Sequence, residues 1–149
     1  MATWGTFVDG VPLTAAELNA TGTWIDYNPT ITQGVNVTVN KQYARYTVVN
    51  KWVTVVARIA AGSAGTANNI IRVSLPPGYN FASAFGVVGV GRILDVGARY
   101  DAVHVECFDA DEICFFLSIE STTQNYGQNP NMALANTDEI WFTITYRAA

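Results

Sequence analysis

A chain of 149 residues, half of them hydrophobic and 12% aromatic, can build one packed core without metal or disulfide staples. Only 13% of its residues are charged, about half the usual share, so its exterior must be rich in Thr, Asn, Ser and Gly. A net charge of −4, with Lys41 and Lys51 the only lysines, argues against a nucleic-acid surface or an acidic membrane as partner, because both need clustered cations.

The chain opens on an arm. In "FVDGVPLTAAELNA", Phe7 to Ala20, Thr14 and Glu17 form a capping box, and Leu13 and Leu18 take the positions of a hydrophobic staple. Gly22 leaves room for only one or two helical turns, too few to stand alone in water. The sequence therefore predicts a short helix on an arm spanning 1–21, followed by one domain over 22–149. Trp4, Phe7, Leu13 and Leu18 are expected to pack on a partner subunit, or else to plug one end of the chain's own domain. The start lacks the basic residues and apolar run of a signal peptide, since Asp9 and Glu17 interrupt it, so the mature protein is expected to begin near Met1. No stretch reaches the roughly 18 apolar residues of a membrane span.

From Val35 onward apolar residues recur with period two, the mark of half-buried strands. Val35, Val37 and Val39 should face one way and Asn36, Thr38 and Asn40 the other. In "YARYTVVNKWVTVVARI", a two-residue turn at Asn50-Lys51 pairs Val49 with Trp52, Val48 with Val53 and Tyr46 with Val55. That register sets Tyr46, Val48, Val53 and Val55 against Thr47, Thr54, Tyr43 and Arg58 on the opposite face. "GSAGTANN" reads as a loop, and Ile71, Val73 and Leu75 as an inward set stopped by Pro76-Pro77-Gly78. Phe85 to Leu94 is a strand whose Gly86, Gly89 and Gly91 imply bulges or close backbone approach, a neighbouring subunit being one source. Tyr100 to Phe108 and Ile113 to Glu120 make a second hairpin. "STTQNYGQNPNMALANTD" reads as a long polar connection. Ile140, Phe142, Ile144 and Tyr146 finish the chain as an inward strand face, with Trp141, Thr143, Thr145 and Arg147 outward. About eight strands without a helical period predict an all-β, antiparallel sandwich of jelly-roll type, with Tyr46, Val55, Leu117, Phe142 and Ile144 in its core.

Catalytic equipment is sparse. His104 and Glu106 share a strand face and offer a base with its orienting carboxylate, yet without a nucleophile motif they read as plain surface. No GxSxG, HExxH or phosphate loop is present, so the chain is expected to be no enzyme and to need no cofactor. "DADE", Asp109 to Glu112, reads as an acidic hairpin tip rather than a metal site. Alternation puts Cys107 and Cys114 on opposite faces, which predicts thiols rather than a disulfide. The sequons at Asn19 and Asn36 are chance matches in a chain this rich in Asn and Thr. "GYNFAS" and "TTQNYGQNPN" place Tyr79, Phe81 and Tyr126 beside Asn80, Gln124 and Asn125. These are the residue types that hold sugars, although Asn, Gly and Pro also fill ordinary loops.

The runs "TWIDYNPTIT", "YARYTVVNKWVTVVARI", "VSLPPGY" and "NTDEIWFTITYRA" together resemble a β-sandwich module of bacteriophage tail and virion proteins, especially phages of actinobacteria. The resemblance rests on a Trp-x-x-Tyr-x-Pro opening (Trp24, Tyr27, Pro29), a Leu-Pro after an inward strand (Leu75, Pro76), and a final Asp-x-Ile-x-Phe-x-x-x-Tyr strand (Asp138, Ile140, Phe142, Tyr146). The arm resembles the Asp-Gly-x-x-Leu-Thr-Ala-x-x-Leu-Asn segment near the start of phage tail and fibre proteins, while Asn50-Lys51 replaces the glycine usual after the tyrosine strand. The resemblance implies a non-enzymatic, homotrimeric virion component, made in the host cytoplasm and docked to other phage structural proteins through the arm. A minor tail or accessory protein, a capsid decoration protein and an adhesin for a host cell-wall glycan all fit it. A lectin unrelated to phage would explain the sandwich but not the arm.

Overall fold

The structure, a computed structural model, describes residues 22–82, 86–119 and 122–149. The arm with Trp4, Phe7, Leu13 and Leu18 lies outside the described residues. Among those described the fold is all-β: β1 (Ile25–Asp26), β2 (Ile31–Thr32), β3 (Asn36–Val37), β4 (Val39–Val49), β5 (Trp52–Ala61), β6 (Arg72–Ser74), β7 (Val87–Asp95), β8 (Arg99–Cys107), β9 (Glu112–Ile119), β10 (Thr122–Asn125) and β11 (Glu139–Arg147). They form one continuous antiparallel sheet in the order β1-β4-β5-β11-β7-β8-β9-β6-β2-β3, with β10 also paired to β9. The short β1, β2 and β10 are the strands that alternation does not announce.

The sheet curls because its two ends are covalently tied. β3 and β4 sit near opposite ends of the strand order, yet only Thr38 separates them in the chain. The Thr38 carbonyl accepts the Gly62 N–H at 2.6 Å, and its own N–H reaches Ser63 Oγ at 2.9 Å. Two strands, β7 and β8, lie between β9 and β11, which in a flat sheet would hold them roughly 14 Å apart. The Phe115 and Phe142 rings nevertheless meet at 6.0 Å. The sheet therefore wraps one core, built from the inward residues of every long strand.

Local chemistry accounts for the main elements. Asn50 and Lys51 both take positive φ, 47° and 67°, as a type I′ hairpin turn requires, and the β4–β5 register is the expected one. Ile140, Phe142, Ile144 and Tyr146 are buried along β11 with polar neighbours facing out. The glycines of β7 are explained within the chain. A register shift falls between Val87 and Gly89, and a Cβ on Gly89 would overlap the Thr143 carbonyl of β11. The close neighbour is β11 of the same molecule, so no second subunit is needed to explain them.

Three expectations need correction. Val35 is exposed, because Gly34, at φ +70°, reverses the chain between β2 and β3 and the Gln33 N–H bonds to the Val35 carbonyl. Leu117 is only partly buried, since β8 accompanies β9 no further than Phe116. The polar connection is not a surface loop. After β10 it buries Tyr126, Met132 and Leu134 around the side chain of Gln33. Gln33 Nε2 donates to the Met132 carbonyl at 2.7 Å and the Asn69 carbonyl at 3.2 Å, and its Oε1 accepts the Leu134 N–H at 2.8 Å. One amide thus stitches three segments by satisfying backbone groups that burial would otherwise strand.

Candidate functional site

Of the residues singled out as a possible glycan site, the aromatic ones pack into or against the core. Phe81 is 6% exposed and packs on Tyr146 with ring centroids 4.5 Å apart. Tyr126 is fully buried, its hydroxyl donating to the Asp101 carboxylate. Tyr79 is half-buried against Tyr46, and its carbonyl accepts the Tyr146 hydroxyl at 2.8 Å. Asn80 is exposed, Asn125 is half-buried, and Gln124 lies on β10 opposite Leu117. The two loops contact different elements, and their rings do not form a solvent-facing platform. Phe81 and Tyr126 belong to the hydrophobic core, and Tyr79 packs against it.

His104 is exposed on β8, and among the described residues no hydrogen bond links it to Glu106. The acidic tip is a strut: Asp109 caps the Ala110 N–H at 2.7 Å, Glu112 pairs with Arg72 at 3.5 Å, and the Ala110 carbonyl receives the Phe81 N–H. Among the described residues no group of three His, Cys, Asp or Glu side chains is placed to hold a metal. Cys107 stands opposite Ile113 and Cys114 opposite Glu106, so the two sulfurs face different ways and no disulfide joins them. Burial, reinforced by the Glu106 charge, pushes the Cys114 thiol up to about 12, and it stays protonated at neutral pH.

What the sequence leaves unseen is the outer face of the central strands. Antiparallel pairing sets Tyr43 of β4 beside Arg58 of β5, Arg58 beside Trp141 of β11, and Trp141 beside Arg92 of β7. The Arg58 guanidinium carbon lies 4.3 Å from the Trp141 ring centre, and that of Arg92 lies 3.3 Å from it. Arg92 also stands over Tyr100 of β8 at 5.2 Å. The result is a ladder of alternating aromatic and arginine side chains across five strands, in which cation–π attraction favours the Arg58–Trp141, Arg92–Trp141 and Arg92–Tyr100 contacts. Glu139 locks its centre. Its carboxylate accepts Arg58 at 3.1 and 3.0 Å and the Trp141 indole N–H at 2.6 Å.

Compared with protein-family models, curated proteins and solved structures, the chain finds no match.

The ladder walls a shallow trough of about 480 Å³, floored by Val56, Thr143 and Val90 in the next cross-strand row. Val90 is 62% exposed and Tyr100 is 52% exposed, an unusual display of apolar surface on a sheet face. Tyr43, Arg58 and Trp141 were individually legible as outward residues. Their meeting was not, because it depends on β11 inserting between β5 and β7, and no local pattern announces that insertion.

Proposed function

We propose that the chain is a non-enzymatic bacteriophage virion protein, a minor tail or accessory component that assembles as a homotrimer and docks to the particle through residues 1–21. The resemblance supports this reading in a particular way. Of its signature residues Trp24 is exposed, while Tyr27, Pro29, Leu75, Pro76, Asp138, Ile140, Phe142 and Tyr146 are buried, so it is mainly a likeness of architecture. Asp138 shows how such a residue works: its carboxylate accepts the Val96 N–H at 2.9 Å and the Ala135 N–H at 2.7 Å, fixing the entry to β11. On this reading the curled sheet is a jelly-roll-like sandwich in which β3–β4 changes layers at Thr38.

The observation that carries the docking role is the surface at the root of the arm. Trp24, Ile25, Val49 and Trp52 are all exposed at the β1 edge and the tip of the β4–β5 hairpin. A methyl on Gly22 would already touch Thr47 and Val49, so the arm enters the domain beside this apolar surface. An apolar surface at this place, where a purely solvated domain would have no reason to display one, supports docking on the side where the arm joins the domain.

The test is to supply the full chain or residues 22–149 during particle assembly. The shortened domain is expected to keep its melting temperature within about 2 °C, less than the effect of 1 kcal/mol at this size. It is expected to be missing from purified particles that retain the full chain. Retention of the shortened chain would overturn arm docking, and so would a loss of several degrees, which would make the arm part of the domain's core.

A further inference from the structure

Arg92 differs in its surroundings from the neighbouring cations of the ladder face, and Arg147 lies apart at the far end of β11. Arg45 pairs with Asp26 at 2.8 Å, and Arg58 is held by Glu139. Away from that face, Arg72 and Arg99 pair with Glu112 and Asp101. Among the described residues Arg92 has no carboxylate within ion-pair distance, only the faces of Trp141 and Tyr100. Stacking covers the flat faces of a guanidinium and leaves its in-plane N–H donors available. The group is half-buried, rigidly placed, and lines the trough.

We propose that this trough binds a strand of acidic polysaccharide, with Arg92 receiving one of its anionic groups. This goes beyond the virion reading and does not rest on it. The geometry selects the ligand class by elimination. The strands beneath the trough are interior, with backbone groups already used in the sheet, so an extended peptide has no edge to add to. A nucleic acid or an anionic membrane needs several unneutralised cations together, and here Arg92 stands beside the paired Arg58, with Arg147 away at the far end of β11. What the face offers is one anion site, apolar patches at Val56, Val90 and Tyr43, and hydroxyls at Thr143 and at the Thr54–Thr145 pair, 3.2 Å apart. A chain of hydroxylated rings carrying spaced acid groups matches that sequence of surfaces. The ladder crosses five strands, roughly 19 Å, and the trough is open, as a linear polymer lying across the strands requires.

The experiment is affinity electrophoresis of the full chain in gels containing polygalacturonate, a phosphodiester-bearing mannan or neutral dextran, with sedimentation of each variant alongside. Retardation is expected in at least one acidic polymer and not in dextran. The polymer that retards identifies the anion as a carboxylate or a phosphodiester. Arg92→Gln should weaken binding about tenfold, the loss of one charge-assisted contact. Val90→Asp, at an exposed position beside Arg92, should weaken it at least as much with the melting temperature unchanged, whereas Arg147→Gln should leave it intact. Equal retardation in dextran, or no retardation at all, would overturn the proposal. So would full binding by both the Arg92 and Val90 variants, or a change in their oligomeric state, which would make the face a contact between copies.

Discussion

Replacing Gln33 by leucine is expected to destabilise the domain by about 4 kcal/mol, a fall of roughly 8–16 °C in melting temperature. Leucine fills nearly the same volume, so little of the loss comes from a cavity. The cost arises because the Met132 and Asn69 carbonyls and the Leu134 N–H lose their partner inside the protein. Leaving a buried polar group unsatisfied costs about 1–3 kcal/mol, and three such groups share one site here. Gln33 also takes part in backbone bonds with Val35 and Thr66, which leucine preserves, so the substitution isolates the side chain's role. A thermal melt checks it. A loss below about 1 kcal/mol would mean that the connection to β11 is held by its apolar residues alone.

Gly89→Ala is the second large effect, about 3 kcal/mol, at the upper end for an overpacked interior. The added methyl would collide with the Thr143 carbonyl and crowd the Ile144 backbone, and backbone cannot swing aside as a flexible side chain would. Relief requires β7 and β11 to separate at the bulge after Val87, where Gly89 and Ile144 are the last residues they pair. Gly91→Ala, whose Cβ would lie 2.5 Å from the Trp141 carbonyl, should act in the same direction. Chemical denaturation of the two variants measures both. Stability unchanged by Gly89→Ala would show that the two strands have slack at this point.

These two residues mark where reading the sequence succeeds and where it stops. Gly89 was visible as a glycine interrupting a strand, and its reason, close backbone approach, follows from chain chemistry alone. Only the strand order says whose backbone approaches. The β4–β5 hairpin and the inward face of β11 were legible in detail, since period-two alternation and a two-residue turn are local signals. Gln33 carried no signal, because a glutamine between Thr32 and Gly34 looks like any surface turn residue. Its burial comes from a segment about a hundred residues away in sequence. Tyr126 misled for the same reason: polar neighbours suggested a surface loop, while β10 and Gly127 turn its ring into the core. The ladder face combines both situations. Alternation places Tyr43, Arg58 and Trp141 outward and assigns no face to Arg92 or Tyr100, and the stacking is a property of strand neighbours that alternation along one strand cannot report.

The proposed place of this domain in a phage particle is tested by direct counting. Quantitative mass spectrometry of density-purified phage particles, assembled in cells that express the chain, is predicted to find it in a fixed copy number relative to the major capsid protein, in a multiple of three. A chain abundant in the infected-cell lysate but absent from purified particles would contradict the claim.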